Sequence, residues 1–202
     1  MKKNCIFIII ALVLSGSVHA GKIKGQIISG KDTMNVVFRI PFGFFSGKLN
    51  YEALQQKVVY YDASGQKQTL RPQHASEYRF KYNNTLIRMI TCKKIPGMAA
   101  YINGNPKIFL HLQVDGKLKL FRYYFKRDKT APGLGHISIP DAALLYQKGN
   151  STLKKTNQPE FRPEMMQYFS DCPELSKKIE TGEFRRTDIK KIAEFYNSHC
   201  GF

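Results

Sequence analysis

The side chains best suited to chemistry in this chain are thiols and imidazoles. Cys172 lies in the stretch YFSDCPELSKKIETGEF, directly before Pro173 and an acidic helix start. A thiol at a helix N-terminus is acidified and can act as a thiolate nucleophile. A nucleophile also needs a positioned base, and His74, His111, His136 and His199 are scattered with no motif around them. Closed zinc sites take four ligands at recognisable spacings; His199-Cys200 has no CxxC or HExxH near it. The third reading is a staple. Beyond residue 20 the chain keeps Cys92, Cys172 and Cys200, and in an oxidising compartment two of these are expected to be bridged. Sequence leaves three single pairings open. Cys172–Cys200 is preferred, because both lie in a helical tail whose helices could fold back on one another. Cys92, at the end of an apolar strand, is then a buried free thiol. No catalytic residue, metal ligand or cofactor is assigned.

Carboxylates are scarce: 15 acids stand against 32 lysines and arginines, a formal charge of +17. Several acids have local duties, Asp62 and Asp115 in turns and Glu174 at a helix start. The two carboxylates of a glycosidase need not be near in sequence. An exported hydrolase of cell-wall or host polymers is therefore the alternative function. Gly133-Leu134-Gly135 lacks the strand and helix that frame a phosphate loop. The cationic excess favours anionic partners without specifying a fold. Arg122 to Arg127 (RYYFKR) interleaves aromatics with cations as base-stacking surfaces do, but the N-terminus directs the chain away from nucleic acid.

That N-terminus reads MKKNCIFIIIALVLSGSVHA. Lys2 and Lys3, the apolar run Ile6 to Leu14, and the small residues ending at Ala20 are the three parts of a secretory leader, with cleavage expected after Ala20. The run is about half the roughly 20 residues that a bilayer span requires, and no second long apolar stretch follows. The mature chain is expected to be periplasmic or secreted, with no transmembrane segment.

The elements that must position these side chains divide into a β-rich domain over 21–148, a linker over 149–159 and a helical region over 160–202. Short runs at 22–28, 34–40, 57–61, 66–70, 78–82 and 86–92 read as strands. Asp62 to Gly65 and Asn83-Asn84 supply turns. Tyr78, Phe80 and Tyr82 alternate with Arg79 and Lys81, a strand with one buried face. The stretch IFLHLQVDGKLKLFRYYF, 108–125, reads as a hairpin. A three-residue loop Val114-Asp115-Gly116 would pair Leu112 with Leu118 and Leu110 with Leu120. Phe109, His111, Phe121 and Tyr123 then share the other face. The Gly- and Pro-rich stretch 127–142 reads as a loop, and Ala143 to Tyr146 as a short strand. Pro163 and Pro173 suit helix starts, Gly182 a helix end, and Thr187 the cap of a last helix. Ile189, Ile192, Ala193 and Tyr196 form one apolar stripe on it, which must dock. The fold class is α+β: an antiparallel sheet or partly open barrel, followed by short C-terminal helices.

The leader, the β-rich body with LRPQHASEYRFKY, and the tail YFSDCPELSKKIE…IAEFYNSHC resemble small exported, uncharacterised β-rich proteins of Bacteroidota. The resemblance implies an exported β domain with a helical clamp and carries no catalytic residue. The expected function is non-enzymatic binding of an anionic polymer, a glycan or an envelope protein. The expected surface is Phe109, Phe121 and Tyr123, flanked by Lys117, Lys119 and Arg122. Neither nucleic acid nor a cofactor is expected.

Overall fold

A computed structural model describes residues 20–43, 46–95, 106–131, 135–156 and 159–200. All but the last residue of the expected leader lies outside them, as do Gly133 and Leu134. β1 (Ala20–Ser29) and β2 (Asp32–Pro41) form a hairpin. Asn50 caps α1 (Tyr51–Gln56), its side chain accepting the Ala53 N–H at 3.0 Å. β3 (Val58–Tyr61) and β4 (Lys67–Leu70) make the expected hairpin; the Asp62 carboxylate accepts the Ser64 and Gln66 N–H groups in its turn. β5 (Glu77–Tyr82) turns into β6 (Thr85–Lys93) through Asn83 and Asn84, both at positive φ (46° and 60°). That conformation matches the right-handed twist of the strands it joins. β7 (Lys107–Val114), β8 (Leu118–Ala131), β9 (Gly135–Lys148) and β10 (Lys154–Lys155) complete the body.

These strands pair antiparallel into one ten-stranded sheet, in the order β10-β9-β8-β7-β6-β5-β1-β2-β3-β4. The architecture is the α+β class expected, as an open sheet; β10 and β4 stand at opposite edges. Successive side chains point to opposite faces, and the registers divide the sheet cleanly. One face carries Ile27, Phe38, Ile40, Tyr78, Phe80, Met89 and Phe109, a core closed by Leu54 of α1. Tyr78 is buried, and its hydroxyl donates to the Leu54 carbonyl at 2.8 Å.

The same face continues through Leu118, Leu120 and Tyr146, where the tail docks. The tail consists of α2 (Phe161–Tyr168), α3 (Pro173–Glu180), a 3-10 turn (Arg186–Asp188) and α4 (Ile189–His199). Pro173 opens α3 and Gly182, at φ +79°, follows its end. The stripe Ile189, Ile192, Ala193 and Tyr196 is buried, as its spacing requires. Lys148 of β9 reaches the Asp171 carboxylate at 2.9 Å and the Tyr168 carbonyl at 2.8 Å, and Tyr196 donates to Asp171 at 2.6 Å. Cys172 and Cys200 are joined in a disulfide with Cα atoms 5.7 Å apart, and Cys92 is free and buried.

Three local expectations are corrected. The 108–125 hairpin pairs Leu112 with Phe121 and Val114 with Leu120, with a bulge between. The parity of β8 is thus reversed against the expected register. Apolar pattern cannot choose here, because both faces are buried: Phe109 in the α1 core, and Leu110, Phe121 and Tyr123 in a second core with Cys92, Leu145 and Leu153. The hairpin mouth is also filled by Asn197 of α4. Its Oδ1 accepts the Leu118 N–H at 2.8 Å, and its Nδ2 donates to the Asp115 and Leu118 carbonyls at 3.1 and 2.9 Å. Next, most of 127–142 is not loop. β8 and β9 pair as far as Ala131 and Gly135, forming a two-stranded ribbon that is mostly exposed over 126–130 and 135–140. Pro140 is tolerated because β10 covers β9 only at Leu145 and Tyr146, leaving an edge there. Last, Thr187 lies within the 3-10 turn, and the residue preceding α4 is Asp188.

Candidate anion-binding face

The face of β4, β3, β2, β1 and β5 turned away from the helices has no protein layer over it among the described residues, and it runs on to Arg88 of β6, beyond which Ile90 and Cys92 enter the second core. Alternation puts Lys22 and Lys24 of β1 there, with Arg39 of β2, Lys67 of β4, Arg79 and Lys81 of β5, and Arg88 of β6. Their neighbours toward the core are Ile23, Phe38, Phe80 and Ile87, so the apolar alternation that builds the core also fixes the cations outward. Rows on one strand are spaced about 6.8 Å apart and neighbouring strands about 4.8 Å, the repeat of the pleat.

Like charges meet across this lattice. Lys22 is directly opposite Arg39, and Arg79 directly opposite Arg88. Such pairs are destabilising in a sheet, and nothing in the core requires them. Acids nearby are engaged. Glu77 takes both Arg88 Nε and Nη2 at 2.8 Å, and Asp115 takes Nη1 at 2.6 Å; these bonds hold Arg88 firmly charged. Asp62 sits in its turn, where the Ser64 hydroxyl, first among its donors, keeps its carboxyl below the usual range. Among the described residues, Lys22, Lys24, Arg39, Lys67, Arg79 and Lys81 form no ion pair.

The floor between the cations is polar and ordered. Arg79 Nε donates to Gln26 Oε1 at 2.8 Å, and Gln26 Nε2 donates to Asn35 Oδ1 at 3.0 Å, a chain running across β5, β1 and β2. Beside it lies an open groove of about 480 Å³, lined by Lys24, Gln26, Asn35, Val37, Tyr61 and Asp62 among others. Lys22 Nζ sits 5.1 Å above the Tyr61 ring. Gly25 belongs to the close-packed layer beneath: a Cβ there would lie 2.7 Å from the Phe38 ring.

The residues expected to form the binding surface are placed differently. Phe109 (0 % exposed), Phe121 (0 %) and Tyr123 (5 %) are core residues, Phe109 on one face and the other two on the opposite face. Lys119 lies on the face of Phe121, close enough to Cys92 to oppose part of the burial that pushes that thiol up to about 12. Lys117 is in the exposed turn. Arg122 is exposed on the helix-bearing face beside a ring stack: Tyr51 of α1 lies 4.8 Å from His111 and 4.4 Å from Tyr124, nearly parallel to both. His111 Nδ1 and the Tyr124 hydroxyl are 2.9 Å apart. Burial, helped by the Arg122 charge, lowers the His111 pKa to about 4. Gln55 bonds both backbone groups of Tyr124, at 2.8 and 2.7 Å, beyond the last β7–β8 pair, His111–Arg122. This cluster seats α1.

The cationic face was not found from sequence because its residues come from five separate strands. The signal available was the alternation of single cations with apolar residues in KIKGQ, FRI and YRFKY. Among the described residues no group of His, Cys, Asp and Glu is arranged to hold a metal ion, and no helix is long and apolar enough to cross a membrane. Comparison with family models, curated proteins and solved structures finds no match to this chain.

Proposed function

We propose that the protein is an exported, non-catalytic module that holds an anionic polymer against the open face of its sheet. One observation carries this reading: a lattice of cations in which Lys22 faces Arg39 and Arg79 faces Arg88 in register, and in which, among the described residues, every cation but Arg88 lacks a carboxylate partner. A polyanion laid across the strands would relieve that repulsion and meet Tyr61 and the Gln26–Asn35 amides as neutral contacts. The leader-like N-terminus and the disulfide support export, and an exported chain would meet its polymer in the envelope or outside the cell.

Binding to immobilised dextran sulfate tests the reading. The double substitution Lys24→Glu and Lys81→Glu should weaken binding by more than tenfold, since it removes two cations and adds two anions at about 5 Å spacing. The charge-matched control Lys177→Glu with Lys190→Glu, on the tail, should retain most of it. Equal losses in the two variants would reject the face.

A further inference from the structure

A second cationic feature lies on the tail, remote in sequence from the sheet face. After α3, Gly182 takes a left-handed φ of +79°, and the chain doubles back so that Arg185 and Arg186 come over the start of α2. The missing side chain of Gly182 makes room for a guanidinium: a Cβ there would lie 3.3 Å from Arg162 Nη2. Arg185 Nε reaches the Gly182 carbonyl at 3.4 Å. Two guanidiniums therefore lie beside one glycine; among the described residues neither has a carboxylate within ion-pair distance, and the acid beside Arg185 is Asp188, which accepts its backbone N–H and feels its charge. Arg186 packs over the Phe161 ring at 5.6 Å and donates to the Pro159 carbonyl at 3.4 Å. Together they line an open groove of about 390 Å³ with Phe161, Phe184 and Ile179 as apolar walls and Glu160 as its acid.

Planar guanidiniums recognise phosphate, sulfate and carboxylate by paired donors, and a groove of this size suits a small molecule. We propose that this groove is a separate binding site for a small organic anion: one phosphate, sulfate or carboxylate group carried on a ring or short apolar stem. The anion sits between Arg162 and Arg185, and the stem lies along Phe161 and Phe184. The site does not depend on polymer binding by the sheet.

Titration of the full mature chain with phenyl phosphate, followed by NMR, tests this. The expected result is a single saturating site with a Kd near or below about 1 mM and shifts at Phe161, Gly182 and Phe184. Inorganic phosphate and phenol, which carry half the recognition each, should bind at least tenfold more weakly. Arg162→Ala with Arg185→Ala should abolish saturation, while Lys24→Glu with Lys81→Glu should leave it unchanged. Arg162→Lys with Arg185→Lys keeps the charge and the fold but loses the paired donors, and should weaken binding severalfold. Failure to saturate in the unaltered protein would overturn the proposal. So would equal binding by the lysine variant and the unaltered protein.

Discussion

His111 shows how a side chain of a type suited to chemistry can be used for packing. Its ring lies under Tyr51 and beside Tyr124, and among the described residues the charge acting on it is that of the cationic Arg122. Protonation therefore needs both desolvation and repulsion to be overcome. With a folded value of about 4 against about 6.5 for an unfolded histidine, the unfolded chain takes up the proton first. Stability from the neutral ring is thus complete above pH 6.5 and is lost as pH falls toward 4. The loss is on the order of 2–3 kcal/mol. Urea midpoints at pH 7 and 4.5 should fall further for the unaltered protein than for His111→Phe, which keeps the stack but cannot be charged; equal falls would contradict it. Gly116 is a second such residue. It has φ +143°, and a Cβ there would meet the Asn197 side chain at 2.5 Å. Gly116→Ala should expel that amide from the hairpin mouth and destabilise by about 1–3 kcal/mol, read as a lower thermal midpoint with weakened amide-exchange protection at Leu118.

The helices of the tail are short, and helices of this length are marginal without packing. Their stability comes from the sheet beneath them and from the disulfide that closes 28 residues. Cross-linking a loop of that size contributes roughly 3–4 kcal/mol in the chain-entropy account. Cys172→Ser with Cys200→Ser should lower the thermal midpoint and expose α2 to α4 to proteolysis before the β strands. Midpoints unchanged by the substitution or by reductant would show that the staple does little. These elements were also the most legible in the sequence. Proline at a first turn, glycine after a last one and a 3.6-residue stripe are local signals, and the structure follows them. Strands bounded by Asp62 to Gly65 and by Asn83-Asn84 were legible for the same reason. The β7–β8 register was not, because its determinants are non-local. Gln55 fills the gap where β7 leaves β8, and Asn197 opens the hairpin from 79 residues away. The ribbon beyond Arg127 was hidden too, since a strand exposed on both faces shows no alternation.

At the scale of the molecule, composition gave the sign of the charge and the folded sheet gives its arrangement. The face away from the helices is cationic over the N-terminal strands and apolar over the C-terminal ones, where Phe121, Leu145 and Leu153 close the second core. Of the aromatics expected to bind, Phe121 and Tyr123 lie in that core and Phe109 in the core under α1, and the cations that alternate with core residues were left outside. Binding through such a face should be screened: affinity for dextran sulfate is expected to fall at least about tenfold between 50 and 300 mM salt, as the screening length shortens from about 14 to 6 Å. Affinity insensitive to salt would point to apolar contacts instead. The most direct test is to map the contact itself. Backbone and lysine side-chain NMR shifts of the mature chain should be followed as a short dextran sulfate oligomer is added. Perturbations are expected to gather at Lys22, Lys24, Gln26, Asn35, Arg39, Tyr61 and Lys81. Perturbations confined to the ribbon over 126–140 or to the tail would contradict it.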